Sequence, residues 1–269
     1  MTAKSQPGFF PELLRNPQYS GTISTLVYNW PIFAGIMVFG LAALISSAFL
    51  TAPWSWLFLV AGIGAIVIIV NILVASFIVY DFGPRREYDR LAELVNLNET
   101  NVIIDITCGK VRGTQGFLSR FNRGHYFVLD IYDPHKMPDA ALRRARAMTP
   151  PLDTDRRIYR RTAKVGSLPM PHNWADVIYC SFSLHELHDA ADRQKIFNEF
   201  ARILKPNGKL LIAEHDRDWL NFIAFGPGVF SFFSSATWTK HITEAGLVVK
   251  HHERWRGLAH LWVAERKPR

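Results

Sequence analysis

From Asn16 to Tyr80 the chain carries no Asp, Glu, Lys, Arg or His. The exposed faces of a water-soluble domain need charge, so a stretch this long without any points to an apolar environment. Two apolar runs lie within it, about Pro31 to Leu50 and about Trp54 to Tyr80. Each supplies the ~20 helical residues that cross a bilayer core. A signal peptide is the competing reading of the first run. It fits poorly, because the run starts late, has a weak basic flank and is followed at once by a second run. Only Thr51-Ala52-Pro53 separates the runs, which predicts a tight antiparallel hairpin with both chain ends on one side. Trp30, Trp54, Trp56 and Tyr80 stand at the ends of the runs, where interfacial aromatics belong.

Beyond Gly83-Pro84 the pattern changes period. Arg86 to Leu97 has apolar residues at helical spacing. NVIIDI (101–106), HYFVLDI (125–131), WADVIYCS (174–181) and KLLIAE (209–214) are short apolar runs that read as buried strands. Arg193 to Leu204 is amphipathic, with Ile196, Phe197, Phe200, Ile203 and Leu204 on one side, and Lys205-Pro206-Asn207-Gly208 reads as its stop. Thr237 to Ala245 reads as a helix ended by Gly246, and 247–252 and 258–265 as a closing strand pair. Apolar strands alternating with helices predict an α/β domain with a mostly parallel sheet covered on both faces. Ligands in such sheets bind beyond the carboxyl ends of the strands. The expected organisation is an N-terminal segment (1–30), a transmembrane hairpin (31–80) and an α/β domain (81–269).

Charge refines this picture. The formal net charge is +8, with 31 Lys and Arg against 23 Asp and Glu. Lys4 and Arg15 precede the first run, and Arg85, Arg86 and Arg90 follow the second. The positive-inside rule then puts both termini and the domain in the cytoplasm, as at a bacterial inner membrane. The irregular stretch 134–161 holds Arg143, Arg144, Arg146, Arg156, Arg157, Arg160 and Arg161. It reads either as a solvated insertion with a basic helix, or as a contact for anionic lipid or an acidic protein face. The hairpin makes nucleic acid the poorer reading. Residues 219–238, WLNFIAFGPGVFSFFSSATW, are aromatic, uncharged and broken by Gly226-Pro227-Gly228. They read as an apolar cover, a hydrophobic subdomain core, or, with the hairpin, a docking face for other membrane-protein subunits. Cys108 and Cys180 have no metal-type spacing, so no metal site is expected.

Chemistry enters with the order LPMPHNWADVIYCSFSLHELHD (168–189), a helix, then ILKPNGKLLIAEH (203–215). This order resembles class I S-adenosylmethionine-dependent methyltransferases, in the branch of the ubiquinone and menaquinone C-methyltransferases, over Tyr88 to Lys267. The resemblance implies a Rossmann-like seven-stranded sheet and S-adenosylmethionine as cofactor. It implies cofactor contacts at Asp105, Thr107 and Gly109 after the first strand, at Asp130 for the ribose hydroxyls, and at Val165, Gly166 and Ser181. Three positions depart from the family pattern. Thr107 and Val111 stand where glycines are usual and add β-branched bulk. Lys164 stands where an acid usually meets the adenine amino group, and lysine offers donors only.

For catalysis the candidates are His185, Glu186, His188, Glu214 and His215, with His185 or His215 favoured as base because imidazole titrates near neutral pH. Two functions remain open. One is a membrane-anchored methyltransferase acting on a quinone, isoprenoid, pigment or lipid. The other is a catalytically degenerate accessory subunit of a photosynthetic or respiratory membrane complex.

Overall fold

The computed structural model describes residues 20–149 and 157–267, in two compact units, Met1–Asp81 and Phe82–Arg269. The expected Lys4 and Arg15 flank and Arg156 lie outside the described residues.

The first unit contains α1 (Ser20–Tyr28), α2 (Trp30–Ser47) and α3 (Trp54–Ser76), the last running into a widened π-type turn at Phe77–Asp81. Helices α2 and α3 are long and apolar enough to cross a membrane. They pack antiparallel through small residues. A side chain at Gly62 would collide with Leu44 and the Gly40 carbonyl, and one at Gly40 would collide with Ala65. Such close backbone approach is how helices associate without a hydrophobic drive between them. Most of their large side chains, Ile45, Trp56, Val60 and Val67 among them, face outward. Residues 20–28 do not form a segment separate from the hairpin. Helix α1 is tied to the end of α3 by Asp81, whose carboxylate accepts from the Gly21 amide (3.1 Å) and from the Thr22 amide (2.7 Å) and hydroxyl (2.6 Å). An anionic side chain on free helix N-terminal amides is favourable.

The second unit is a seven-stranded sheet in the order β3-β2-β1-β4-β5-β7-β6. Its strands are β1 (Val102–Thr107), β2 (His125–Asp130), β3 (Ile158–Thr162), β4 (Ala175–Ser181), β5 (Leu204–His215), β6 (Leu247–Trp255) and β7 (Ala259–Arg266). The first five are parallel, and β7 runs antiparallel between β5 and β6. Helices α4 (Glu87–Glu93), α5 (Arg112–Leu118), α6 (Ala140–Met148), α7 (Ala190–Ile203), α8 (Trp219–Phe225) and α9 (Ser235–Glu244) make the crossovers and flanks. The α/β sheet expected from the sequence is present.

Local chemistry explains the boundaries. Asp139, Asp189 and Ser234 cap α6, α7 and α9 by accepting from free amides of their first turns. On α7, Ile196, Phe197, Phe200 and Ile203 are fully buried, each contributing about 2 kcal/mol by area. Two local readings differ from the sequence-based ones. Helix α7 ends at Ile203, just before Lys205–Gly208 as read, but β5 starts already at Leu204 rather than at Lys209, with a register shift between Ala175 and Val177. The stretch 134–161 is not only insertion, since Ile158–Thr162 forms the edge strand β3, paired with β2. The segment Arg112–Leu118 is helical despite two glycines. Gly113 sits against Ser181, and Gly116 sits where a Cβ would strike the Tyr88 ring.

Candidate active site

The switch point of this sheet lies between β1 and β4, and the loops after β1, β2, β4 and β5 converge above it. After β1, the turn closes without the usual first glycine. Thr107 Oγ1 donates to the Lys110 carbonyl (2.7 Å) and accepts from the Gly109 amide (3.0 Å). Gly109 alone takes a left-handed conformation here, with φ +98°. Val111 is buried. The β-branched residues therefore avoid the strain expected of them: Thr107 ties the turn by its side chain, and neither it nor Val111 has a positive φ.

Asp105 lies below this turn, buried, accepting from the Tyr126 hydroxyl (2.9 Å) and from Thr114. Burial pushes its carboxyl up to about 7. It braces β1, β2 and α5 from inside. The structure thus gives Asp105 a supporting position rather than the direct ligand contact expected.

At the end of β2, Asp130 presents both carboxylate oxygens to Arg146 of α6. Arg146 Nη1 and Nη2 each donate at 2.8 Å, and Nη1 also donates to the Cys108 carbonyl (2.6 Å). The guanidinium lies over the Tyr132 ring, 4.0 Å from its centroid, and covers Gly109 closely enough that a Cβ there would overlap it. The space above Gly109 and beside Asp130 is filled by Arg146, not by Lys110, Val111 or Arg112. Lys110 pairs with Glu186 (2.7 Å), and Arg112 pairs with Glu87. Glu87, wholly buried at the start of α4, also approaches the Ser181 hydroxyl (3.3 Å), while its Oε2 has no hydrogen-bond partner among the described residues. The Ala163 amide donates to the Asp130 carbonyl, which carries the turn 164–167 past the end of β2. There Val165 enters the core, whereas Lys164 and Gly166 stay exposed.

Beyond β4 and β5 sits a buried ionic network. Glu214 accepts from the Leu184 amide (2.7 Å) and from His185 Nδ1 (2.7 Å), while His185 Nε2 faces Glu186 at 3.5 Å. Burial alone would lower the His185 pKa, but the two carboxylates outweigh it and raise it to about 9. Burial likewise opposes ionisation of Glu186, yet Lys110 and His185 hold its pKa well below the usual carboxylate range. His185 is therefore an imidazolium at neutral pH and has no proton-accepting nitrogen, so the expectation that it serves as a base is corrected.

His215 is the opposite case. Burial, then the charge on His185, depress its pKa to about 3. Its Nδ1 lies 3.1 Å from the Leu258 carbonyl, which fixes the proton on Nδ1 and the lone pair on Nε2. The ring stacks on Phe232 (4.5 Å), with Phe182 and Phe225 closing the other sides. Asp189 caps α7, and His188 gives its carbonyl to Arg193; both belong to the helix start rather than to the site. Arg146, Lys110, Arg112 and Glu87 are the site residues that sequence reasoning missed as contacts.

Residues 104–212 match the family model described as a methyltransferase domain. The solved S-adenosylmethionine-dependent methyltransferase from Aquifex aeolicus has the same fold, with a TM-score of 0.53 at 16% identity over 71% of this chain and 92% of that one. In this stretch of sequence and in its fold, the domain is similar to class I methyltransferases. Among curated relatives, the chain is 27% identical over 171 residues to 27-O-demethylrifamycin SV methyltransferase of Amycolatopsis mediterranei (strain S699), covering 60% of this chain and 59% of that protein. It is 29% identical over 184 residues to the ubiquinone/menaquinone biosynthesis C-methyltransferase of Pasteurella multocida (strain Pm70), covering 66% of this chain and 62% of that protein. The chain thus spans about three-fifths of the length of these relatives.

The cofactor that this class implies is S-adenosylmethionine, and three features of the domain suit it. Gly109 supplies the thin, left-handed backbone that a ligand can approach. Asp130 already binds two parallel N–H donors, the demand that a ribose diol makes. The orphaned Glu87 Oε2 is a buried acceptor suited to an ammonium group. The obstacle is the far end of one flexible side chain, Arg146, which is 27% exposed.

Proposed function

We propose that this protein is a membrane-anchored S-adenosylmethionine-dependent methyltransferase acting on a lipid-soluble acceptor. The observation that carries the reading is His215, a neutral imidazole at the end of β5 inside a wall of Phe182, Phe225 and Phe232. Such a wall suits a flat apolar acceptor and excludes water.

When bound, the cofactor supplies an electrophilic methyl group. Asp130 would hold the ribose hydroxyls, Gly109 would let the chain approach, and Glu87 would hold the ammonium of the methionine portion. In-line displacement needs mainly positioning, and a base where the acceptor carries a proton. His215 Nε2 would accept a hydrogen bond from the acceptor's hydroxyl and orient it, its depressed pKa suiting it to positioning rather than to taking the proton outright. His185, locked as an imidazolium between Glu214 and Glu186, fixes the turn after β4. Helices α2 and α3 would serve as the anchor. The curated relatives are named as a 27-O-demethylrifamycin SV methyltransferase and a ubiquinone/menaquinone biosynthesis C-methyltransferase, which supports a methyltransferase reading.

The test is transfer of a labelled methyl group from S-adenosylmethionine into the organic-extractable fraction by the full chain in lipid vesicles, with a hydroquinone-type acceptor. Transfer lost in His215→Asn supports the reading; no transfer to any apolar phenol contradicts it. A second reading, a non-catalytic subunit of a membrane assembly, is favoured by Arg146 lying on the ribose-binding carboxylate. It predicts no cofactor binding even after Arg146 is removed.

A further inference from the structure

One surface of the second unit is unlike the rest. Helix α8 and the 3-10 turn Gly226–Ser231 turn Trp219, Leu220, Phe222, Ile223 and Phe230 outward, with Trp219 72% and Phe230 67% exposed. The rings associate with each other: Trp219 stacks on Phe222 (5.4 Å), and Phe222 meets Phe230 edge-on (6.4 Å). No charged residue lies between Trp219 and Thr239. An apolar patch of this kind on a domain surface marks a contact that the isolated fold does not satisfy.

The border of the patch is basic. Arg217 donates to the carbonyls of Phe230 (2.8 Å) and Phe232 (2.5 Å) and stands exposed at one edge. At the other edge, the turn between β6 and β7 places Gly257 against Leu220. Next to it, Arg256 stacks on Trp255 (4.6 Å) and on Phe82 (5.7 Å) and donates to the Arg85 carbonyl. The acid nearest the patch, Asp218, is neutralised by Arg254. Phe82 is itself 56% exposed, and it is the first residue of this unit, directly after the apolar helix that ends at Asp81. The chain therefore enters the domain at the edge of its own aromatic patch.

We infer that this face, Phe82 with Trp219–Phe230 and the Arg217 and Arg256 border, docks on the headgroup region of an anionic bilayer. Exposed Trp and Phe rings next to arginines match the apolar–polar gradient of that region. Each arginine near an anionic surface strengthens the attraction to it. A tether of a few residues from a spanning helix would keep the face at the membrane, so binding is intramolecular and weak contacts suffice. A bilayer accounts for the basic border and the chain entry together. A protein subunit seated on the patch is an outcome of the test. The inference concerns how the domain sits on lipid and stands whether or not methyl transfer occurs.

Site-directed spin labelling of the full chain in vesicles tests it. Cys108 and Cys180 are buried, so a label goes to the introduced cysteine. Labels at Ile223→Cys, at Lys240→Cys on α9 and at Val67→Cys on α3 are compared for collision with oxygen and with a water-soluble nickel chelate. The expected result at Ile223 is an oxygen-to-nickel ratio several-fold above that at Lys240, rising further when anionic lipid is added. Arg217→Glu should abolish that further rise. An Ile223 label as nickel-accessible as Lys240 overturns the inference. So does a label shielded from both reagents, which would show a protein seated on the patch. Val67 reports separately on the hairpin: a water-exposed label there defeats the anchoring reading, while the Ile223 result still decides the docking face.

Discussion

Arg146 and Asp130 form a two-pronged ion pair, both N–H···O contacts at 2.8 Å, on the carboxylate at the end of β2 that the proposed function gives to the ribose. The pair joins α6 to the end of β2 and brings the guanidinium over the Tyr132 ring. Any ligand using Asp130 has to displace Arg146 first. Arg146→Ala should therefore bind S-adenosylmethionine more tightly than wild type. Charged hydrogen bonds of this largely buried kind contribute about 1–2 kcal/mol, so the gain should be about tenfold in Kd by calorimetry. Weaker binding in the variant would mean that the guanidinium contacts the ligand instead.

Gly109 couples to the same arginine. Gly109→Ala places a Cβ against the Arg146 guanidinium and forces alanine to φ +98°. The φ strain alone should cost about 1–2 kcal/mol. In an Arg146→Ala background the overlap disappears while the φ strain stays. The double variant should then be more stable than the sum of the two single effects, read from denaturation midpoints in detergent. Strict additivity would show that the two residues do not touch.

The placement of His215 makes a kinetic prediction. His215→Asn should lower kcat by about 10²–10³, the range for loss of one positioned hydrogen-bonding group, with cofactor affinity unchanged. His215 is neutral down to about pH 3, so no limb from this residue should appear in the rate profile between pH 5 and 8. A limb near pH 6 to 7 that disappears in the variant would place its titration elsewhere.

Two buried groups predict stability against pH. Asp105 rises from 3.8 to about 7 on folding, so its contribution is full below pH 3.8 and is lost as pH climbs through 7. His185 rises from 6.5 to about 9, so its contribution is full below pH 6.5 and is lost as pH climbs through 9. Each corresponds to a few kcal/mol, on the order of 3, at one pKa unit per ~1.4 kcal/mol. Wild-type stability should fall across both windows. Asp105→Asn should remove the fall between pH 4 and 7, and His185→Gln the fall between 6.5 and 9. Unchanged slopes in the variants would contradict these environments.

The sheet was readable in the sequence because β1, β2, β4 and β5 are buried on both faces and appear as continuous apolar runs. Strand β3, IYRRT, was not. It is an edge strand with exposed side chains, and its arginines resemble a solvated loop. Helix α5 was hidden by Gly113 and Gly116, which are there for close packing on Ser181 and Tyr88. Asp130 was legible from its place at a strand end. Its partner was not, because Arg146 reaches it only after the chain crosses over through α6, and nothing in RRARAM marks one arginine as inward. The histidines show the same limit. His185 and His215 look alike in sequence, yet one is flanked by Glu186 and Glu214 and the other by three phenylalanines, so burial acts on them in opposite company.

The most direct measurement is calorimetric titration of S-adenosylmethionine into the full-length protein in detergent, alongside Asp130→Ala and Arg146→Ala. A cofactor-binding methyltransferase with an arginine over its ribose site should give saturable one-to-one heat in wild type, none in Asp130→Ala, and tighter binding in Arg146→Ala. Absence of heat at millimolar cofactor in both wild type and Arg146→Ala would contradict it and leave the domain as a non-catalytic part of a membrane assembly.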